Sequence, residues 1–164
     1  MPLLRVFDAA PLGQTLAASR AGSRRRANFN VHPTLEDPVQ RMLNVLQPGS
    51  YVRPHRHSPD RFELFLRLAG EAAVLLFREN GEPFEGAILG DGTAWAVEAP
   101  GGVWHTVLAL CPDAVLFELK RGPYRSTGEN DFAPWAPLEG TPEVRELVGT
   151  WEKLVRGAAS APRG

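Results

Sequence analysis

Turn residues recur at short intervals through the middle of the chain, and most runs between them hold fewer than ten residues. Gly and Pro supply 16 and 15 of the 164 residues, well above the roughly 12% that they contribute to an average protein. Because a typical helix needs about ten residues or more, this punctuation disfavours a helical bundle and favours short strands. The turn signals are Pro38, Pro48-Gly49, Ser58-Pro59-Asp60, Gly70, Asn80-Gly81, Gly90-Asp91-Gly92, Pro100-Gly101-Gly102 and Pro112-Asp113.

The middle of the chain therefore predicts a mainly β domain. Short runs rich in Val, Leu and Phe are typical of strands, and strands without helices between them pair antiparallel in a sandwich or a barrel. A chain of this length can bury a core large enough to fold as a single domain. The predicted strands are 27–32, 39–47, 50–57, 62–69, 71–78, 85–90, 94–98, 103–110 and 114–120.

The two ends of the chain have a different pattern. Residues 9–21 predict a short helix with Pro11 in its first turn, and the basic run 23–26 is either an anion-binding arm or a solvated connector. Near the other end, Thr141 is a good N-cap and Gly157 a good stop for a helix. The expected organisation is an N-terminal helix and arm at 1–26, a β-barrel at 27–121, a wrapping loop with a C-terminal helix at 122–157, and a flexible tail at 158–164.

Composition disfavours several classes of partner. The net charge is −1, so the chain has no overall field that attracts nucleic acid. No run reaches the 18 apolar residues of a membrane helix, and the N-terminus lacks the basic start and apolar centre of a signal peptide. The single cysteine, Cys111, cannot form a disulfide within the chain. We expect a cytoplasmic protein with no nucleic-acid or membrane partner.

Histidines are the most informative polar residues of this sequence, which has four of them. His55 and His57 lie two residues apart in a predicted strand, so both imidazoles project from one face and could share a metal ion. A pair of exposed or hydrogen-bonded histidines would produce the same spacing. The residues around the pair favour the metal site.

These surrounding residues resemble the motifs of the cupin superfamily. The first cupin motif places a glycine, a His-x-His pair, a glutamate and a second glycine in order, and the second motif ends on a histidine after a Pro-x-Gly. In the string GSYVRPHRHSPDRFELFLRLAG and the later string PGGVWH, the matching residues are Gly49, His55, His57, Glu63, Gly70, Pro100, Gly102 and His105. The resemblance implies a single jelly-roll β-barrel whose metal ligands are His55, His57, Glu63 and His105.

The match to the cupin motifs has three departures. Five residues separate His57 from Glu63, which is more than the motif has, and the extra residue is expected in the turn at 58–60. Ala94 stands where the second motif begins with glycine, and Ala109 stands where it ends with asparagine. None of these changes removes a ligand, although the longer spacing makes Glu63 the least secure of the four.

Five further strings narrow the resemblance to the WbuC-like cupin-fold metalloproteins. They are DPVQRMLN, PGSYVRPHRH, GGVWHTV, FELKRGPY and DFAPWAP. Members of that family are small bacterial proteins associated with surface-polysaccharide gene clusters, and their reaction is not established. The resemblance therefore implies a metal site and points to sugar-related chemistry without naming a reaction.

The ligand set indicates which metals the site would take. Three imidazoles and one carboxylate suit Fe, Mn, Ni, Zn or Cu and suit Ca poorly. We expect one divalent transition-metal ion in each chain. Four protein ligands leave one or two coordination positions open, which water or a substrate can occupy.

Three other residues are candidates for substrate binding. Arg53 and Tyr51 share strand parity with the His-x-His pair, so both are expected to face the same cavity. Arg53 could bind a substrate carboxylate or phosphate, or could pair with a carboxylate that closes the barrel end. His32 could line the cavity, or could be a hydrogen-bonded structural histidine.

The sequence leaves the class of function open. One hypothesis is a metal-dependent enzyme acting on a small polar or anionic molecule, by isomerase-like or epimerase-like chemistry. The alternatives are an Fe(II)-dependent dioxygenase and a module that binds a small molecule or metal without catalysis. Apolar residues fall on both faces of the run 62–66, so the outer face needs cover and a homodimer is expected.

Overall fold

The computed structural model describes residues 3–126 and 128–159. Within them, the predicted helix at 9–21 is confirmed, and the second helix runs two residues past Gly157. Of the tail expected at 158–164, residues 160–164 lie outside the described residues. The elements are α1 (Ala9–Ala21), β1 (Arg26–Asn30), β2 (Val39–Leu46), β3 (Glu63–Ala69), β4 (Ala72–Phe77), β5 (Pro83–Leu89), β6 (Ala96–Ala99), β7 (Trp104–Ala109), β8 (Ala114–Arg121), a short 3-10 helix (Glu129–Asp131) and α2 (Glu143–Ala159).

The strands form two antiparallel sheets, which confirms the mainly β prediction. One sheet has the strand order β1-β2-β8-β3-β6, and the other has the order β5-β4-β7. Among the described strands, the ladders leave both edges of each sheet open, so the architecture is jelly-roll-like and a closed barrel is not shown. The two sheets pack face to face, and a cavity beside the candidate site is lined by residues of the larger one.

Strand β4 explains how the layers are held together. Its sequence is uninterrupted AAVLLF, and alternate side chains point to opposite faces of a strand. Ala72 and Val74 pack in the cluster between the sheets, whereas Leu75 and Phe77 pack in a second cluster on the outer face. A strand buried on both faces needs apolar residues at every position, which is why this run does not alternate.

Helix α2 covers the outer face of the smaller sheet. Val144, Val148, Trp151 and Val155 recur at helical spacing and are all buried. The Trp151 ring lies 5.1 Å from that of Phe77, between ring centroids. The apolar stripe of this helix is therefore its packing surface against β4.

The strand predicted at 50–57 is wrong. This segment runs without ladder pairing and makes isolated bridges only at His55 among the described residues. Pro54 has no backbone N–H to donate, so it interrupts a regular ladder. At His55, the backbone nitrogen and oxygen both bond to the backbone of His105, with N···O distances of 3.1 and 2.9 Å. The segment is therefore fixed to β7 at one residue of the candidate site.

Candidate metal centre

The four residues predicted as ligands come from three parts of the fold. His55 and His57 lie on the segment between β2 and β3, Glu63 is the first residue of β3, and His105 lies in β7. Because β3 and β7 belong to different sheets, the cluster forms where the two sheets meet.

The structure brings all four side chains together. One potential ligand atom from each residue lies within 4.8 Å of the others. Nε2 of His57 and Nε2 of His105 each lie 2.8 Å from one oxygen of Glu63, and Nε2 of His55 lies 3.9 Å from Oε2 of Glu63. Glu63 and His105 are almost fully buried. The longer His57–Glu63 spacing therefore does not prevent Glu63 from joining the cluster.

Backbone carbonyls orient two of the imidazoles. Nδ1 of His55 lies 3.1 Å from the Arg53 oxygen, and Nδ1 of His105 lies 3.0 Å from the Val103 oxygen. A carbonyl oxygen can only accept, so Nδ1 carries the proton in both rings. In neutral His55 the lone pair is then on Nε2, which faces the cluster. Burial alone would lower the pKa of His105, but the hydrogen bond from its Nε2 to Glu63 raises it, so this proton must leave before Nε2 can bind a metal.

Burial and neighbouring charges set the ionisation of the cluster. The pKa of His55 is lowered to about 3, mainly by burial and also by the nearby His105 and His57, against the opposite effect of Glu63. His55 is therefore neutral at pH 7. Burial would raise the pKa of Glu63, but Lys120 and the hydrogen bonds from His105 and His57 outweigh burial and hold it well below its usual range. Glu63 is thus a carboxylate at neutral pH.

Sequence reasoning missed a second layer of charged residues behind Glu63. Nζ of Lys120 lies 2.8 Å from Oε1 of Glu63 and 3.0 Å from Oε1 of Glu118. Asn44 donates its side-chain N–H to the other oxygen of Glu118. The only sequence signal was the alternation of Glu118 and Lys120 in FELK, since their position beside β3 depends on the pairing of Glu63 with Lys120 across the sheet.

The donor set fits a divalent transition metal. Three imidazole nitrogens and one carboxylate oxygen converge, and this mixture suits Fe, Mn, Ni, Zn or Cu better than the all-oxygen site that Ca prefers. His55, His57, Glu63 and His105 would hold the ion, with Glu63 as the charged ligand and Lys120 bound to one of its oxygens. An ion held there would supply a Lewis acid beside an adjoining cavity.

Two neighbouring cavities adjoin the cluster at His55. The larger, of about 570 Å³, lies against β1, β2, β3 and β8 and is lined by His55, Glu63, Glu118, Lys120 and polar residues that include Asn28, Asn30, Asn44 and His32. The smaller, of about 380 Å³, is lined by residues that include Arg53 and Phe132. Both are lined by Arg24, Arg26, Val52 and His55. A small molecule in either cavity would reach the cluster at His55.

Two of the three predicted substrate-binding candidates line these cavities. The guanidinium of Arg53 lies 4.8 Å from the Phe132 ring centroid, and Nη1 of Arg53 lies 3.5 Å from Oε2 of Glu129. His32 is buried on the wall of the larger cavity, and its Nε2 has no hydrogen-bond partner among the described residues. Both remain candidates for contact with a ligand.

The structure places Tyr51, the third candidate, in the core. Its ring stacks on Trp151 at 6.2 Å between centroids, and its hydroxyl donates to the Pro137 oxygen. Burial raises the pKa of Tyr51 to about 12. Because the segment 50–57 is not a regular strand, shared parity with His55 does not bring Tyr51 to the same cavity.

Gly101 packs directly against the backbone of the turn that follows His57. A Cβ on Gly101 would lie 2.5 Å from the Ser58 oxygen and 2.7 Å from the oxygens of Pro59 and Arg61. These oxygens belong to the segment 58–61, which includes the turn at 58–60 where the extra residue between His57 and Glu63 is expected. The close approach is possible only without a side chain.

We therefore expect Gly101→Ala to destabilise the protein by about 1–3 kcal/mol, because the turn must move outward. The free energy of unfolding in urea measures the effect. The control is Gly149→Ala in α2, where a Cβ would meet nothing within 4 Å and where alanine is expected to stabilise the helix by roughly 0.5–1 kcal/mol. Equal stabilities of the two variants would contradict the packing at Gly101.

Comparison with known proteins identifies the family. Residues 7–89, just over half of the chain, match the family model described as "Domain of unknown function (DUF6016)". The chain belongs to this family. No curated protein matches the sequence. The matched region contains three of the four clustered residues, and His105 lies beyond it.

Solved structures show the fold. TT1209 from Thermus thermophilus has a TM-score of 0.52 and 21% identity, over 72% of this chain and 97% of that one. The DMSP lyase DddQ from Ruegeria pomeroyi has a TM-score of 0.50 and 24% identity, over 69% of this chain and 56% of that one. These neighbours are cupin-fold proteins, so the cupin resemblance is confirmed for the fold. In the described residues, no helix has the length and apolarity to cross a bilayer.

Proposed function

We propose that this DUF6016 protein binds one divalent transition metal and presents it to a small polar or anionic molecule. One observation carries the proposal: four potential ligand atoms lie within 4.8 Å of one another, and two of the residues that offer them line a 570 Å³ cavity. A metal that served only to hold the fold would be enclosed by protein ligands, and a domain of this size has a core that does not need it.

The polar wall of the cavity supports a ligand with hydroxyl or anionic groups. Asn28, Asn30 and Asn44 line the larger cavity, and Lys120 adds a positive charge beside Glu63. Carboxamides can both donate and accept, which suits a polyhydroxyl molecule. This agrees with the sugar-related chemistry that the WbuC-like resemblance implies, and we propose an enzyme that uses the metal as a Lewis acid.

The homodimer and the cytoplasmic location expected from the sequence stay predictions.

An experiment with Mn²⁺ tests whether the metal is open to a ligand. We expect the Mn²⁺-loaded protein to speed the relaxation of bulk water protons, because water exchanges at an open coordination position. Oxalate, a small anion that binds metals, is expected to reduce this enhancement by displacing the water. A protein that binds Mn²⁺ but gives no enhancement would have a closed, structural site and would contradict the proposal. Oxygen uptake by the Fe(II)-loaded protein that depends on an added candidate substrate would instead identify the dioxygenase alternative.

A further inference from the structure

The basic run at 23–26 links α1 to β1 and is exposed from Ser23 to Arg25, yet its arginines make specific contacts. Arg25 adopts a left-handed backbone conformation with φ of 54° and donates from Nε to the Pro48 oxygen. Arg24 and Arg26, on either side of it, both line the two cavities beside the metal cluster. The chain therefore places two guanidinium groups where these cavities adjoin.

Both arginines bind one carboxylate of the chain itself. Nη1 and Nη2 of Arg26 lie 2.5 and 3.1 Å from the two oxygens of Glu139, and Nε of Arg24 lies 3.0 Å from Oε2 of the same group. Three N–H donors thus surround two oxygens of a single anion. This is the bidentate geometry that guanidinium groups offer to carboxylates and phosphates.

Arg53 adds a third positive charge to the smaller cavity. It lines that cavity with Arg24, Arg26 and Glu139. Among the described residues, its one carboxylate partner within 4 Å is Glu129, whose side chain is 85% exposed. An anion between these arginines would lie in the cavity that His55 also lines, and could extend from there to the metal cluster.

We propose that Arg24 and Arg26 form a binding subsite for the phosphate or carboxylate group of the small molecule that the metal cavity takes, and that Glu139 occupies this subsite until the ligand displaces it. The inference deepens the proposed function and rests on it, because the ligand's other end would meet the metal. The subsite itself consists of protein side chains and is tested without the metal.

Glu139 can leave the arginines without unfolding the loop that carries it. Its side chain is about one-third exposed, and that of Arg24 is 63% exposed, so water screens the Arg24 contact. The bidentate contact with Arg26, whose side chain is 17% exposed, is the one that an incoming anion must replace. The preceding loop has its own attachment, since the Tyr51 hydroxyl donates to the Pro137 oxygen at 2.9 Å. A rotation of the Glu139 side chain would therefore open the subsite while the loop stays in place.

An NMR titration tests the subsite in the full chain. Inorganic phosphate and, separately, acetate are added to ¹⁵N-labelled protein, and the Nε–Hε signals of the arginines report binding. In Glu139→Gln the competing carboxylate is gone, so we expect phosphate or acetate to bind about tenfold more tightly than in the charge-matched control. The control is Glu146→Gln, which removes an equally negative, exposed residue of α2 outside both cavities.

Arginine variants identify the groups that bind the anion. Adding Arg26→Ala to Glu139→Gln is expected to abolish the gain. Arg24→Ala should do the same and carries little risk to folding because Arg24 is mostly exposed. A larger gain for phosphate identifies a phosphate group in the ligand, and a larger gain for acetate identifies a carboxylate.

Two results would overturn the subsite. One is equal affinity of Glu139→Gln and Glu146→Gln for both anions, which would make Glu139 only a structural partner of the arginines. The other is loss of the gain when His55→Ala and His57→Ala are added, which would mean that the anion binds at the histidine cluster and not between the arginines. Retention of the gain in that background supports the subsite even if the metal proposal fails.

Discussion

Replacing both His55 and His57 with alanine is expected to remove the metal from the purified protein. The wild-type chain should carry about one divalent transition-metal ion, and the double variant less than about a tenth of that, because two of four ligands are lost. Metal analysis of protein purified without chelator measures the difference. The core clusters do not include either residue, so the circular dichroism of a folded β protein should remain.

His32→Ala is the matched control for this experiment. His32 is the one other histidine of the chain outside the cluster and lines the larger cavity. This variant should keep the metal of the wild-type protein. Full metal occupancy in the double variant, or equal loss in His32→Ala, would show that the ion is held elsewhere.

Replacing Lys120 is expected to have the largest effect on stability. Its ammonium lies within 3.0 Å of two buried carboxylates, Glu63 and Glu118, and nearly four-fifths of its side chain is buried. Removing one member of a buried ionic cluster leaves the remaining charge uncompensated and costs about 3–5 kcal/mol. We therefore expect Lys120→Met, which keeps most of the apolar stem, to lower the free energy of urea unfolding of the metal-free protein by this amount.

A bound metal should reduce the loss, because the ion supplies positive charge beside Glu63. The comparison is made with and without added chelator. Adding Glu118→Gln to Lys120→Met should recover part of the stability by removing one of the unpaired charges. The control is Lys153→Ala, the chain's other lysine, which is exposed on α2 and should change stability by less than about 0.5 kcal/mol.

The ionic pairing of Lys120 centres on Glu63. Burial and the charge of Glu63 raise the pKa of Glu118 despite Lys120, whereas the pKa of Glu63 is held low. Lys120 therefore mainly compensates the negative charge of Glu63. Its replacement is expected to lower the free energy of unfolding most when no metal ion lies beside Glu63. If Lys120→Met and Lys153→Ala unfold at the same urea concentration in the metal-free state, Lys120 does not compensate the buried carboxylates.

Much of the candidate site could be predicted from the sequence because its signals are local. His55, His57 and Glu63 lie within nine residues of one another, and His105 follows a Pro-Gly-Gly turn. Spacing of this kind depends on short-range backbone geometry and on a motif that recurs in a known fold. The same holds for α2, whose buried residues repeat with helical periodicity.

The prediction that Tyr51 faces the cavity relied only on the alternation of side chains in a strand. Alternation places Tyr51 beside His55 only if residues 50–57 form a regular strand. Pro54 and the absence of ladder pairing among the described residues of this segment break that assumption. Tyr51 turns into the core against Trp151, a residue one hundred positions later in the chain.

Periodicity and turn signals were sufficient to predict the mainly β class and the two helices, and the resemblance to the cupin motifs supplied the four residues that cluster. The residues that surround this cluster are placed there by contacts between distant parts of the chain. The register of β3 against β8 sets Lys120 beside Glu63, and Arg26 meets Glu139 across a sequence separation of 113 residues. Contacts of this kind depend on how sheets pair and loops pack over the whole chain, so no local pattern in the sequence encodes them.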